Sequence, residues 1–271
     1  MLHLITFSTH HSERMQSCWL QWASHVMARD TTPQQHYRLY LRTHDASNVS
    51  TVRPKGRRVT AGGAAGTYQT ATWYAALRDK MFAIQEVLEE TKASAREVDA
   101  YVITDLDVVP LRPYSELLAC LEHEITFMKE PDGHAGSFGA HVVNGGFYVV
   151  RNTANVRAWF TNVASRFKKY PRLHDQDIAN ALLLAHIRHP RAAAIGLPYV
   201  SRGKPELNWG VFPTSRVTGV VDEVRNETVA YHAIFSTNSS DKMANITRAM
   251  RRSGTTLPHC RGGHRGAHSP S

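Results

Sequence analysis

Apolar residues fall along this chain in two alternating rhythms. Leu2 to Ser8 is a short apolar run of strand type, and Ser12 to Met27 follows with Met15, Trp19, Trp22 and Val26 at helical spacing behind a Ser12 cap. Tyr37 to Leu41 alternates like a second strand. Thr72 to Glu90 then carries Trp73, Leu77, Met81, Ile84 and Leu88 on one stripe, the pattern of an amphipathic helix. Ala100 to Ile103 is an uninterrupted apolar run, which predicts a parallel strand covered on both faces and ended by Pro110. Further on, the pattern predicts a helix over 113–121 and strands at Ile125 to Met128 and Asn144 to Val150. A helix capped by Asn152 or Thr153 then runs to Phe167, and another follows His174 and ends near Ile187. Val229 to His232 reads as a late strand and Asp241 to Met250 as a last amphipathic helix. Strands alternating with helices predict an α/β protein built on one Rossmann-like open mixed sheet flanked by helices.

This pattern fills residues 1–252, read as one domain. Residues 253–271 are polar, Gly-rich and basic, and are expected to be a disordered tail. Thr43 to Thr70, with the Arg53 to Arg58 cluster and the Gly62 to Gly66 run, reads as a long irregular segment: a lid, a substrate loop or disorder.

Composition narrows the classes. A hydrophobic content of 42% with 20% charged residues suits a soluble globular chain, and no apolar stretch is long enough for a transmembrane segment. Met1 to Phe7 lacks a basic leader and reads as a core strand rather than a signal peptide. As it stands the chain is expected to be cytoplasmic, or in the Golgi lumen if an anchor precedes it. Sequons at Asn48, Asn226, Asn238 and Asn245 hint at the second. Cys18, Cys120 and Cys260 are far apart and without a C-x-x-C pair, which predicts isolated thiols. The formal charge of +9 favours anionic partners, but no nucleic-acid module is recognisable, so nucleic acid is not expected among them.

Candidate chemistry centres on Asp105 and Asp107, delivered at the end of the Ala100 to Ile103 run. Catalytic groups in open α/β sheets stand at the carboxyl ends of such strands. If the backbone stays extended, residues i and i+2 face the same way and both carboxylates can meet one hard cation, Mg²⁺ or Mn²⁺. The same residues also allow a turn capped by Asp105 beside a solvated Asp107. Lys80 lies on the inward stripe of its helix, roughly 20° from Trp73. Either its stem ends at an anion or it snorkels to the surface.

The order of the pieces is more specific than any one of them. A lysine-bearing helix, Asp105-Leu-Asp107, Asn144-Gly-Gly-Phe147, Asp175-Gln-Asp177, and His232 followed by Lys242 together resemble the nucleotide-diphospho-sugar transferases. In particular they resemble the GT-A-fold retaining glycosyltransferases related to glycogenin and to plant and algal cell-wall enzymes, over roughly residues 70–245. The resemblance implies a GT-A fold, a nucleotide-sugar donor of UDP type, a glycan or glycoprotein acceptor, and Mn²⁺ or Mg²⁺ as cofactor. It further implies that Asp105, Asp107 and His232 hold the metal, and that Lys80, Asp105, Asn144, Gly145, Gly146 and Lys242 serve the donor, the small residues by letting backbone approach it. Asp175, Gln176 and Asp177 would line the sugar and the reacting carbon as the catalytic segment. The glycogenin branch has His-x-Gly-x-x-Lys where this chain runs longer, from His232 to Lys242, without glycine.

Two other classes fit part of the pattern. A haloacid-dehalogenase-like Mg²⁺-dependent phosphatase also ends an apolar strand in Asp-x-Asp, and would use Lys168 or Lys169 with the Asp175/Asp177 pair; it leaves Asn144-Gly-Gly and His232 without a task. A non-catalytic glycan- or nucleotide-binding relative would not need the carboxylate pair. Trp209 reads as an acceptor-stacking residue or a core anchor, and His174 stands out only for adjoining Asp175.

Overall fold

The computed structural model describes residues 1–9, 13–31, 37–44, 71–93, 99–131, 135–136, 139–140, 142–183, 207–234 and 239–258. The Arg53 to Arg58 cluster, the Gly62 to Gly66 run and the sequons at Asn48 and Asn238 lie outside them. The elements are β1 (Leu2–Thr9), α1 (Glu13–Met27), β2 (Tyr37–His44), α2 (Ala71–Thr91), β3 (Ala100–Thr104), β4 (Val108–Pro110), β5 (Ile125–Lys129), the two-residue β6 (Ala135–Gly136) and β7 (Gly139–Ala140), β8 (Val143–Arg151), α3 (Ala154–Lys169), α4 (Asp175–Leu183), β9 (Trp209–Val211), β10 (Val217–Thr218), β11 (Ala230–His232) and α5 (Ser239–Arg252).

Six strands form the main sheet in the order β2-β1-β3-β8-β5-β9. β1 runs parallel to β2 and β3, whereas β8 is antiparallel to both β3 and β5, which makes the open sheet mixed. The two-residue side-chain period sorts the core. Tyr101, Ile103, Tyr148 and Val150 face α2, α3 and α4 together with Met81, Ile84, Phe160 and Ile178. Ala100, Val102, Phe147 and Val149 face the other side, among Leu2, Leu4, Tyr114 and Phe212. β8 is therefore buried on both faces from Val143 to Val150, as a central strand must be.

A second sheet, β10-β11-β4, sits at the end of β3. β4 pairs antiparallel with β11, so that His232 stands opposite Val108 and Ala230 opposite Pro110. Helices α1 and α5 cover it through Cys18, Trp22, Val26, Ile246 and Ala249 packed on Val109 and Tyr231. Pro110 thus closes a short strand rather than interrupting the chain, a place where its missing N–H is tolerated.

Several boundaries differ from the sequence reading for local reasons. Residues Tyr114–Cys120 form a 3₁₀ helix rather than an α-helix; Pro113 supplies no capping side chain. Thr153, not Asn152, caps α3, its Oγ1 accepting from the Val156 N–H at 3.2 Å. Residues 253–258, assigned by composition to a disordered tail, fold onto the domain: Leu257 is buried in the α1–α5 cluster and Trp22 Nε1 donates to the Pro258 carbonyl at 3.3 Å. Residues 259–271 lie outside the described residues. Cys18 is disulfide-bonded, which corrects the expectation of isolated thiols at that position, while Cys120 is free. Separation along the chain says nothing about proximity in the fold. No helix among the described residues is long and apolar enough to cross a membrane.

Candidate active site

The site lies where β3 leaves the main sheet and β4 enters the small one. The chain does not stay extended there. The Val108 N–H donates to the Asp105 carbonyl at 3.1 Å, closing a tight turn, and the Asp105 N–H donates to the Gly146 carbonyl at 2.8 Å. Leu106 turns inward against Trp19 and Ala23. The two carboxylates therefore converge through a turn between two sheets, not through strand alternation.

β11 brings His232 to the same point. Asp105, Asp107 and His232 each present a ligand atom within 4.8 Å of the others, an arrangement that could hold a metal ion. Hard carboxylate oxygens with one imidazole suit Mn²⁺ or Mg²⁺. His232 Nε2 is 3.1 Å from Asp107 Oδ1, and the Lys242 ammonium, from α5, pairs with Asp107 Oδ2. Burial opposes the charged form of Asp107, but His232 and Lys242 outweigh it and hold its carboxyl well below the usual range.

Lys80 is buried on the inward stripe of α2. Its Nζ stands 2.7 Å from Asp105 Oδ1, 3.1 Å from Asp175 Oδ2 and 2.8 Å from the Gly145 carbonyl. All three ammonium hydrogens thus have an acceptor within the protein, and the anion expected at the end of the stem is a pair of the chain's own carboxylates. Burial alone would lower the Lys80 pKa; Asp105 and Asp175 reverse this and hold it above the ordinary lysine value. At Asp105 the balance falls differently. Its burial and the neighbouring Asp107 charge raise it despite Lys80. Asp105 Oδ1 is occupied by Lys80, which leaves Oδ2 for an ion.

The small-residue start of β8 leaves room for two neighbouring side chains. A Cβ on Gly146 would sit 2.1 Å from His232 Cε1, so only glycine leaves room for that ring. A Cβ on Gly145 would approach Asp175 Oδ2 to 3.3 Å. Gln176 Oε1 accepts from the Gly145 N–H at 3.1 Å and from Asn144 Nδ2 at 3.2 Å. Asn180, one turn further along α4, accepts from the Val142 and Val143 N–H groups and so fixes the helix to the strand start.

Asp175, Gln176 and Asp177 are all buried at the start of α4. Asp175 reaches the cluster through Lys80, and His174 Nδ1 lies 2.8 Å from its Oδ1. Burial works against ionised Asp175, yet Lys80 and His174 keep its carboxyl well below the usual range. Burial would also lower His174, but Asp175 raises it above the ordinary histidine value. Trp73 packs on the His174 ring with centroids 4.7 Å apart. Asp177, two residues beyond Asp175 on the helix, is buried, and its charge acts on His174 in the same direction as that of Asp175. Trp209 packs against Phe127 in the core, which favours the anchor reading.

Sequence reasoning passed over Glu130. It is 1% exposed, and its Oε2 accepts from Asn144 Nδ2 at 2.6 Å. The signal was present: a carboxylate directly after the Ile125–Lys129 strand, where a buried charge needs a partner.

A sequence profile of the nucleotide-diphospho-sugar transferases matches residues 67–246, well over half of the chain. No curated protein sequence matches it. Among solved structures, a glycosyltransferase involved in glycosylation of the major capsid of PBCV-1 aligns with TM-score 0.49 and 11% identity, over 90% of this chain and 98% of that one. The glycosyltransferase GlyE of Streptococcus pneumoniae TIGR4 aligns with TM-score 0.48 and 10% identity over 92% of this chain, which spans 61% of GlyE. The galactosyltransferase LgtC, solved with donor and acceptor sugar analogues, aligns with TM-score 0.44 and 10% identity, over 95% of this chain and 98% of LgtC.

Proposed function

The chain is a glycosyltransferase of the nucleotide-diphospho-sugar transferase family, and from that premise we propose that it moves a sugar from a UDP-sugar to a glycan or protein acceptor, with retention at the anomeric carbon and with Mn²⁺ or Mg²⁺ bound. The observation that carries this reading is the convergence of Asp105 and Asp107, on the turn between β3 and β4, with His232 of β11. Asp105 Oδ2, Asp107 and His232 Nε2 would hold the cation. Once bound, it supplies positive charge against the departing diphosphate.

The remaining residues divide the work around it. Lys242, with its side chain 31% exposed beside Asp107, can meet the diphosphate from the solvent side. Lys80 acts through its neighbours, holding Asp105 and Asp175 in place from behind. Asp175 and Gln176, with Asp177, line the sugar side, where a carboxylate kept charged opposes the positive charge that develops on the ring. The bond from the anomeric carbon to the diphosphate oxygen breaks, the acceptor oxygen bonds on the same face, and its proton passes to the leaving diphosphate.

Donor hydrolysis tests this reading. UDP-glucose, UDP-galactose, UDP-xylose, UDP-arabinose and GDP-sugars are offered with Mn²⁺ or with chelator, to wild type and to Asp107→Ala. Metal-dependent release of one nucleoside diphosphate, lost in the variant, is expected. Silence with every donor alongside Mg²⁺-dependent release of phosphate from an aryl phosphate would overturn it.

A further inference from the structure

The orientation of the Asn144 side chain is fixed at both ends. Its Oδ1 receives the Gly146 N–H at 2.8 Å, and a backbone N–H can only donate. Its Nδ2 stands 2.6 Å from Glu130 Oε2 and 3.2 Å from Gln176 Oε1. The Gln176 oxygen is identified in turn by the Gly145 N–H that it accepts at 3.1 Å. An amide flip at Asn144 would set donor against donor at one end and acceptor against acceptor at the other. Oδ1 is therefore an acceptor, and His232 Nδ1, 3.0 Å away, must carry a hydrogen to meet it. The other ring nitrogen, Nε2, faces Asp107 Oδ1 at 3.1 Å and is the one that would offer its lone pair to a cation bound there.

We propose that Glu130 is a positioning residue for the cation site: by clamping Asn144 it keeps the His232 hydrogen on Nδ1 and turns Nε2 toward the position shared with Asp105 and Asp107. The inference rests on the cation reading above and extends it to a buried carboxylate that touches neither cation nor donor. Glu130 follows β5 of the main sheet while His232 belongs to the small sheet, so the link through Asn144 also ties the histidine to the larger sheet. Outer partners of this kind commonly change metal affinity by about 10–100-fold when removed.

Two measurements test it. Mn²⁺ affinity is read by electron paramagnetic resonance in the presence of UDP for wild type, Glu130→Leu and Glu130→Gln. A loss of about 10–100-fold is expected for leucine, with recovery by glutamine, whose amide oxygen can still accept from Asn144. Nitrogen-15 NMR of histidine-labelled wild type with Mg²⁺ and UDP should show the His232 hydrogen on Nδ1, and this holds as a test even where Glu130→Leu does not fold. Wild type that binds no Mn²⁺ refutes the cation reading and this role with it. Wild type that binds Mn²⁺ while the leucine variant binds equally well, or while His232 carries its hydrogen on Nε2, refutes the role of Glu130 alone.

Discussion

Replacing Lys80 by methionine removes one cation and leaves two anions, Asp175 buried and Asp105 partly exposed. Nζ lies 2.7 Å from Asp105 and 3.1 Å from Asp175, and the lysine side chain is 5% exposed, so no solvent can replace it cheaply. Breaking such a buried pair costs about 3–5 kcal/mol because the remaining charge is stranded. At ~2–4 °C per kcal/mol for a chain of this size, Tm should fall by roughly 6–20 °C near neutral pH. The loss has a defined pH dependence. In wild type the Asp175 pKa is depressed, burial being outweighed by Lys80 and His174, so its contribution is present above the unfolded value and lost as pH falls through the folded one. Without Lys80 the folded value rises, and protonation relieves the stranded charge. The Tm gap between variant and wild type should therefore be widest at about pH 8 and narrow toward about pH 5. Differential scanning calorimetry with chelator present, so that no ion substitutes for the lysine, reads this directly. Equal Tm values at neutral pH, or a gap that widens on acidification, would refute the assignment of Lys80 as the counter-ion.

Gly146→Ala should displace the His232 ring, because the new Cβ would lie 2.1 Å from Cε1, and should weaken Mn²⁺ binding at least about tenfold. Titration of free Mn²⁺ checks it, and unchanged affinity would show that the ring can yield without consequence. His174→Gln should lower Tm below about pH 6.5 and converge with wild type at alkaline pH. The His174 pKa is raised in the fold, chiefly by Asp175 against the opposing effect of burial. Its ion pair is thus fully present below the unfolded value and lost as pH rises through the folded one. A Tm difference that stays constant across that range would contradict it.

How much of this was legible in the sequence follows from which contacts are local. The apolar run before Asp105 and the stripe from Trp73 to Leu88 mark β3 and α2 because burial imposes a period on each element alone. Strand order and the antiparallel direction of β8 are set by partners far away, and nothing inside Val143–Arg151 records them. The acidic pair was visible, but the turn that makes it converge depends on Leu106 finding Trp19 and Ala23 on another helix. The glycines after Asn144 were visible as positions needing close approach. That the approaching group is the His232 ring could not be read without the fold. Lys80 illustrates the middle case: its place on the inward stripe left an anion or the surface as the end of its stem, and the sequence could not say that the stem ends at Asp105 and Asp175.

The seam between the two sheets has a consequence for how the molecule is made. Asp105 belongs to the large sheet's edge of that seam, whereas Asp107 adjoins β4, which pairs with β11 and so with His232, 125 residues further along the chain. A nascent chain can lay down β1, β2, β3, β5 and β8 while the cluster is still missing its imidazole and the Lys242 helix. The candidate site is thus incomplete until the chain has been made through Lys242. A chain stalled before residue 232 would hold most of the main sheet and have no complete centre, so activity in this protein reports on completed assembly as well as on chemistry.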